Sequence, residues 1–500
     1  MKRSRLCFIA TFVCWAFCVL FTAVLIRAQA AVSFEEYFDH HGLRFDLFQV
    51  GNSSREEIIL DNIYWEGPWP ENPASLIEPF ENGHYRVRLY DVATNRLLYS
   101  RGFDSMFNEY KTTAPAIEGI KKVFKRSIRI PAPRRPFLFI IDARDRKNIP
   151  HPLFILQVDP TDYHIIKENP SAGDFVYECL KNGDPKNKVD FVFLAEGYIS
   201  TEKDKFIADV DRFTAWLFEF EPYKSRREDF NVRGIFRPSF ESGMDEPRQG
   251  RFKKTALNAS FNAFDLDRYM LIDDGHLLRE IAGQVPYDSV IVLVNSKRYG
   301  GGGIYNDYCV TTVDNERSKE VFIHELGHSF AGLADEYYAP EVSYNEFYPP
   351  GVEPLEPNIT ALLDPSRVKW ADLLSPGIEI PTEYGKEELD ALQAERRHLL
   401  QTMRRELDQA EAEGKKEAEL KKIEKKYQAK AEEIDKKIEK IRKQYAHMED
   451  KVGVFEGAGY SSEGLYRPMM YCLMISSPKK EFCLVCQKAI ERIIDHYTDF

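Results

Sequence analysis

Residues 321–338 read VFIHELGHSFAGLADEYY, and they contain His324-Glu325-x-x-His328. On a helix, residues four apart lie one turn apart on the same face. The two imidazoles can therefore hold one metal ion while Glu325 faces the water that the metal activates. A catalytic zinc takes three protein ligands and keeps one position open, and a neighbouring carboxylate accepts the proton as water attacks a carbonyl. The pattern points to zinc-assisted hydrolysis of a peptide bond, with His324 and His328 as the first two ligands and Glu325 as general base. Gly332 can end the helix in a left-handed conformation and turn the chain back so that Asp335 reaches the metal. The adjacent Glu336 is an alternative third ligand that the spacing leaves open. Val321, Phe322, Leu326, Phe330 and Leu333 give the segment the apolar face of a packed helix.

The segment HELGHSFAGLADEYY, followed much later by VGVFEGAGYSSEGLYRPMMYCLMISS and FCLVC, resembles the IgA-peptidase family of secreted bacterial metallopeptidases, the igalysins, which are grouped with the metzincins. The resemblance covers roughly residues 185–500, with a weaker match to the family's N-terminal β-domain. It implies a zinc endopeptidase, with Zn2+ as cofactor and a protein or peptide as substrate. The family name suggests immunoglobulin A as a target, but no residue in the chain identifies a substrate. The metzincin pattern HExxHxxGxxH/D is altered here by one added residue: Gly332 and Asp335 each fall one position later than that pattern places them. Igalysins share the addition, which leaves the choice between Asp335 and Glu336 open. The resemblance also implies a Met-turn beneath the metal, at Met474 in the YCLMISS segment, ahead of Met469 and Met470. Some metzincins carry a ligand Tyr two residues after that Met; this chain has Ser476 there.

Five hundred residues suggest two or three domains, and 43% hydrophobic residues suffice for substantial cores. A formal net charge of −12 argues against nucleic acid as a partner. At the N-terminus, Lys2-Arg3-Ser4-Arg5, the apolar run Leu6–Ile26 and Ala28-Gln29-Ala30 read as a signal peptide over residues 1–30. The run is long enough that its retention as a membrane anchor is the second reading. Both readings put the protein outside the cytoplasm: secreted, periplasmic or on the cell surface. Beyond that segment five cysteines remain, Cys179, Cys309, Cys472, Cys483 and Cys486. Their odd number leaves at least one thiol or an intermolecular bridge. A disulfide from Cys472 to one of the Cys483-x-x-Cys486 pair is the expectation for an exported protein. A structural zinc there has only His496 in reach as a fourth Cys or His.

The expected fold class is α+β and multidomain: an N-terminal β-sandwich over 31–170, then a metzincin-like α/β domain over 171–500 with a helical hairpin inserted at 386–447. In the first part, Tyr85, Val87 and Leu89 alternate with polar neighbours, and further strands are expected at 57–64, 127–130, 137–142 and 152–158. The second part alternates strands at 189–194, 231–236 and 289–294 with helices at 201–220 and 265–282. Gly300, Gly301, Gly302 and Gly303 precede Ile304 and Tyr305, and the resemblance makes this stretch the sheet edge where an extended substrate pairs. The GxxxxGK[ST] signature of a phosphate loop is absent there. Residues 386–447 are rich in Glu, Lys, Arg, Gln and Ala, with three/four-spaced apolar residues on either side of Gly414. The sequons at Asn52, Asn258 and Asn358 matter only in a host that glycosylates. The competing function is a non-catalytic surface or adhesion protein that keeps the metal as a staple; an intact Glu325 argues against it, because a structural site needs no general base.

Overall fold

A computed structural model describes residues 32–167, 173–338, 348–475 and 480–498. The signal segment, the domain boundary expected at 170 and Ser476 lie outside the described residues. The protein is mixed α+β and built from several sheets.

The first unit is a pair of antiparallel sheets. One joins β1 (Phe38–Gly51), β2 (Glu56–Pro68) and β5 (Lys122–Pro133) in the order β2-β1-β5. The other joins β3 (Tyr85–Asp91), β4 (Leu97–Phe103), β6 (Phe137–Arg144) and β7 (Pro150–Val158) in the order β4-β3-β6-β7. Leu43, Phe45 and Leu47 of β1 meet Val87, Leu89, Phe137 and Phe139 in one core, as two stacked sheets require. Strand β1 escapes the sequence reading because its alternation starts after a register shift between His41 and Leu43, and because Arg44 and Asp46 on its other face are buried as well.

The second unit is a six-stranded sheet in the order β14-β15-β13-β9-β10-β8. Its members are β8 (Phe175–Leu180), β9 (Val189–Glu196), β10 (Phe230–Phe236), β13 (Ser289–Val294), β14 (Gly301–Ile304) and β15 (Tyr308–Thr312); the two-residue strands β11 (Ala259–Ser260) and β12 (Leu271–Ile272) pair apart from it. The inner strands run parallel and are buried on both faces, hence unbroken apolar runs such as SVIVLV. Phe191 and Phe193 face a core shared with α1 (Lys203–Leu217), α3 (Ser318–Ala331) and α6 (Leu484–Thr498). Val192 and Leu194 face the opposite core, which contains Leu278 and Ile281 of α2 (Gly275–Ala282) and also Met106, Phe107, Tyr110 and Phe124 from the N-terminal part. The sandwich and the six-stranded sheet thus share a hydrophobic core. Buried polar contacts add to it, including Arg126 with Asp307, and Arg129 stacked over Tyr287 at 3.8 Å.

One expectation needs correction. Only Gly275–Ala282 of the stretch 265–282 is α-helical. Asp274 caps that helix through its side chain (3.1 Å to Leu277 N), and upstream Phe264 and Asp265 adopt positive φ. The 386–447 insertion does form two antiparallel helices, α4 (Lys386–Ala412) and α5 (Glu417–Gln444), with Gly414 at φ +69° between them. Leu389, Ile434, Ile438 and Ile441 at its base share a cluster with Phe455 and Met470.

Candidate metal centre and cleft

Helix α3 carries His324, Glu325 and His328, and ends at Gly332, whose φ of +61° lets its N–H bond back to His328 O at 3.0 Å. The returning chain places Asp335 over the two imidazoles. His324 Nε2 lies 3.1 Å from His328 Nε2 and 3.1 Å from Asp335 Oδ1, and His328 Nε2 lies 3.5 Å from the same oxygen. Tetrahedral ligand atoms around a zinc ion with bonds of about 2.0–2.1 Å sit about 3.3 Å apart, so the three atoms already span three corners of such a site. His324 Nδ1 faces Leu473 O at 3.1 Å and His328 Nδ1 faces Leu333 O at 2.6 Å. Each Nδ1–H donates to a carbonyl, which leaves each Nε2 lone pair directed inward. Asp335 Oδ1 is buried without a hydrogen-bond partner among the described residues. Three ligand atoms converging on one point can hold a metal ion, and without one a protonated imidazole faces Asp335.

The electrostatics agree. Burial favours neutral carboxyls and imidazoles, yet the facing imidazoles hold Asp335 well below the usual carboxylate range. Against the same burial, Asp335 raises His324 and carries His328 up to about 9. Burial pushes Glu325 up, partly offset by the two imidazoles.

These groups lie in a cleft of about 1460 Å³ that both units line: Asn52–Glu56, Asp104, Asn108 and Arg144–Arg146 from the sandwich, and Arg268, Tyr299, Glu325 and Tyr337 from the other side. The chain matches the family described as IgA Peptidase M64 over residues 177–494, and that described as Peptidase M64 N-terminus over residues 33–155. It belongs to the M64 peptidase family. No curated protein sequence matches it.

In this M64 peptidase, Glu336 turns away from the imidazoles. Its carboxylate accepts from Asn358 Nδ2 at 2.9 Å and lies 3.0 Å from Cys486 Sγ, in a buried pocket with Cys472 and Cys483. The cleft cluster is therefore His324, His328 and Asp335. Met474 is fully buried beneath α3, and a Cβ at Gly327, between the two histidines, would stand 3.0 Å from its sulfur. The four glycines owe their identity to space. A Cβ at Gly301 would meet Val321 at 2.5 Å and one at Gly303 would meet Glu325 O at 2.3 Å; on the other side, Gly300 meets Phe261 at 2.5 Å and Gly302 meets Met270 O at 2.7 Å. Strand β14 is thus clamped between α3 and the 261–270 segment, and its role is close approach rather than flexibility. It is the outermost strand, and Gly301 makes an isolated bridge to Tyr269. Ile304 and Tyr305 are buried, and the Tyr305 hydroxyl donates to Glu78 of the sandwich at 2.7 Å, so that side chain serves the contact between the units.

The expected disulfide is not formed. Cys472 and Cys486 sulfurs are 3.7 Å apart and all three thiols are free, whereas a disulfide needs about 2.05 Å. His496 does not approach them; its ring packs on Phe80 at 5.4 Å. Sequence reasoning also missed three residues. The Tyr460 hydroxyl donates to Asp335 Oδ2 from the turn of the hairpin β16 (Phe455–Ala458) and β17 (Ser461–Arg467). Asn358 is fully buried and clasps Ala334 through both backbone groups, at 2.8 and 2.9 Å. Arg268 lies in the cleft, where its charge acts on Glu325. Asn358 reads only as a sequon, and Tyr460 lies far from α3 in sequence. A local motif search reaches neither.

Proposed function

We propose that this M64 peptidase is an exported zinc endopeptidase with a metzincin-like catalytic unit. The observation that carries the reading is the convergence of His324 Nε2, His328 Nε2 and Asp335 Oδ1, 3.1–3.5 Å apart, on the floor of a cleft that also contains Glu325. Bound zinc would supply Lewis acidity, polarising the scissile carbonyl and acidifying water. Glu325 accepts a proton from the attacking water as its oxygen bonds to the carbonyl carbon, then delivers that proton to the amide nitrogen as the C–N bond breaks. Leu473 and Leu333 carbonyls hold the imidazole tautomers, and Tyr460 orients Asp335. The substrate lies extended in the cleft, which Gly301 and Gly303 of β14 line beside Glu325. The cleft volume exceeds the 300–1,000 Å³ typical of small-molecule sites and suits a polypeptide.

The unit boundaries near 170 and the insertion at 386–447 belong to the same proposal, as does export, which rests on Lys2–Arg5, the apolar run and Ala28-Gln29-Ala30. Among the described residues no helix is long and apolar enough to cross a membrane. Immunoglobulin A belongs in the substrate panel because of the family description alone. The test is metal content and proteolysis on one preparation, wild type beside Glu325→Gln. Zinc in both with cleavage only by the wild type supports the proposal. Cleavage by both, or undiminished cleavage after chelation, refutes it.

A further inference from the structure

We propose a second, closed metal site formed by Cys472, Cys483, Cys486 and Glu336, which holds zinc structurally and fastens the catalytic loop to the C-terminal helix. The four ligand atoms lie within 4.8 Å of one another. Cys472 and Glu336 are 0% exposed, Cys483 5% and Cys486 0%. Cys472 Sγ to Cys486 Sγ is 3.7 Å, and Glu336 Oε1 lies 3.0 Å from Cys486 Sγ and 3.8 Å from Cys483 Sγ. Around zinc with Zn–S near 2.3 Å, tetrahedral sulfurs stand about 3.8 Å apart, and a sulfur and a carboxylate oxygen about 3.6 Å. Two of these distances match those values, and the 3.0 Å contact of Glu336 with Cys486 would open by about 0.6 Å around the ion.

Two features separate it from ordinary core cysteines. Glu336 Oε2 is buried and has no hydrogen-bond partner among the described residues, a costly arrangement unless a cation neutralises the group. Backbone N–H groups also point at the sulfurs: Cys483 N and Met474 N at Cys472 Sγ (3.3 and 3.5 Å), and Cys486 N at Cys483 Sγ (3.5 Å). Such donors stabilise thiolates, the form that binds metal. Thiolates are soft ligands and select zinc over calcium or magnesium. Four protein ligands leave no open position, as in structural sites. The elements joined are the turn that carries Met474, the start of α6, and the residue immediately after Asp335. The site would therefore hold the third ligand of the cleft in place from behind.

The proposal is tested on the full-length protein with His324→Ala/His328→Ala, which empties the cleft and leaves the cysteines intact. The wild type should hold about two zinc ions per chain and the double variant about one. When the variant is reloaded with Co2+, it should show sulfur-to-cobalt charge-transfer absorption. Peptide mapping should find Cys472, Cys483 and Cys486 alkylated only after denaturation with a chelator. A double variant without zinc, native alkylation of the three thiols, or a disulfide among them in non-reducing maps would overturn the proposal. Because the cleft is disabled in the variant, failure here is distinguishable from failure of the peptidase reading.

Discussion

Asp335 and Glu336 are consecutive, yet they serve two unlike clusters. On one side, His324 and His328 keep 22% and 18% of their side-chain surface exposed above Asp335, at the floor of a cleft. On the other, three cysteines and Glu336 are sealed, none more than 5% exposed. A nitrogen and oxygen set open to a cleft suits chemistry, and a sealed sulfur and oxygen set suits construction. One peptide bond apart, the two carboxylates point to opposite sides of one loop, Asp335 to the imidazoles and Glu336 to the cysteines.

The comparison breaks most sharply at Glu325. Glu325→Gln should lower kcat/KM by roughly 10²- to 10⁴-fold, the range for losing a general base, with zinc content unchanged. A parallel loss of zinc would mean that Glu325 belongs to the construction of the cleft. Next is Tyr460, whose hydroxyl donates to Asp335. Tyr460→Phe should weaken zinc binding or turnover about 10- to 100-fold, as expected when a group that orients a ligand is lost. It should leave zinc in the cysteine cluster. Chelator competition on the two sites separately measures both effects.

The open side was legible in the sequence because it is local. Four-residue spacing on one helix and a Gly-terminated turn bring His324, His328 and Asp335 together within a dozen residues. The choice between Asp335 and Glu336 was not legible, since adjacent side chains diverge according to what packs behind each, here Asn358, Cys483 and Cys486. The closed cluster draws on residues 136 to 150 positions apart from Glu336, and its carboxylate member gives no motif. Three inner strands of the six-stranded sheet, expected at 189–194, 231–236 and 289–294, followed from apolar runs. Strand β1 did not, because a polar face buried against another unit destroys the alternation by which a half-exposed strand is found.

Acid should sharpen the contrast, because α6 carries the closed side's Cys486 at one end and His496 at the other. His496 packs on Phe80, and burial together with Arg101 lowers its pKa to about 4 from an ordinary 6.5. The unfolded chain therefore takes up this proton near pH 6.5 and the folded chain only near 4. The contribution of His496 is fully present above pH 6.5 and is lost as pH falls through that window. By pH 5 the loss should reach about 2 kcal/mol. Urea unfolding at pH 7 and 5 should show it in the wild type and not in His496→Phe, both zinc-saturated; equal slopes would show that the ring is not sealed against Phe80.

The smallest effect is expected far from both clusters. The base of the α4–α5 hairpin is tied in: Tyr338, three residues after Asp335, donates to Asp390, and Leu389 packs with Ile438 and Phe455. The distal half has mostly exposed polar faces and surface ion pairs such as Lys421–Glu417 at 2.7 Å, pairs worth roughly 0–1 kcal/mol. Replacing residues 400–433 with a short turn should leave zinc content at both sites and cleavage of a short peptide unchanged within about twofold, since no distal residue lines the cleft. Comparing a peptide with intact proteins in the same assay then isolates recognition. A loss confined to proteins makes the arm part of substrate selection, whereas a loss of zinc would show that order in the Asp335–Tyr338 loop extends along the hairpin beyond its packed base.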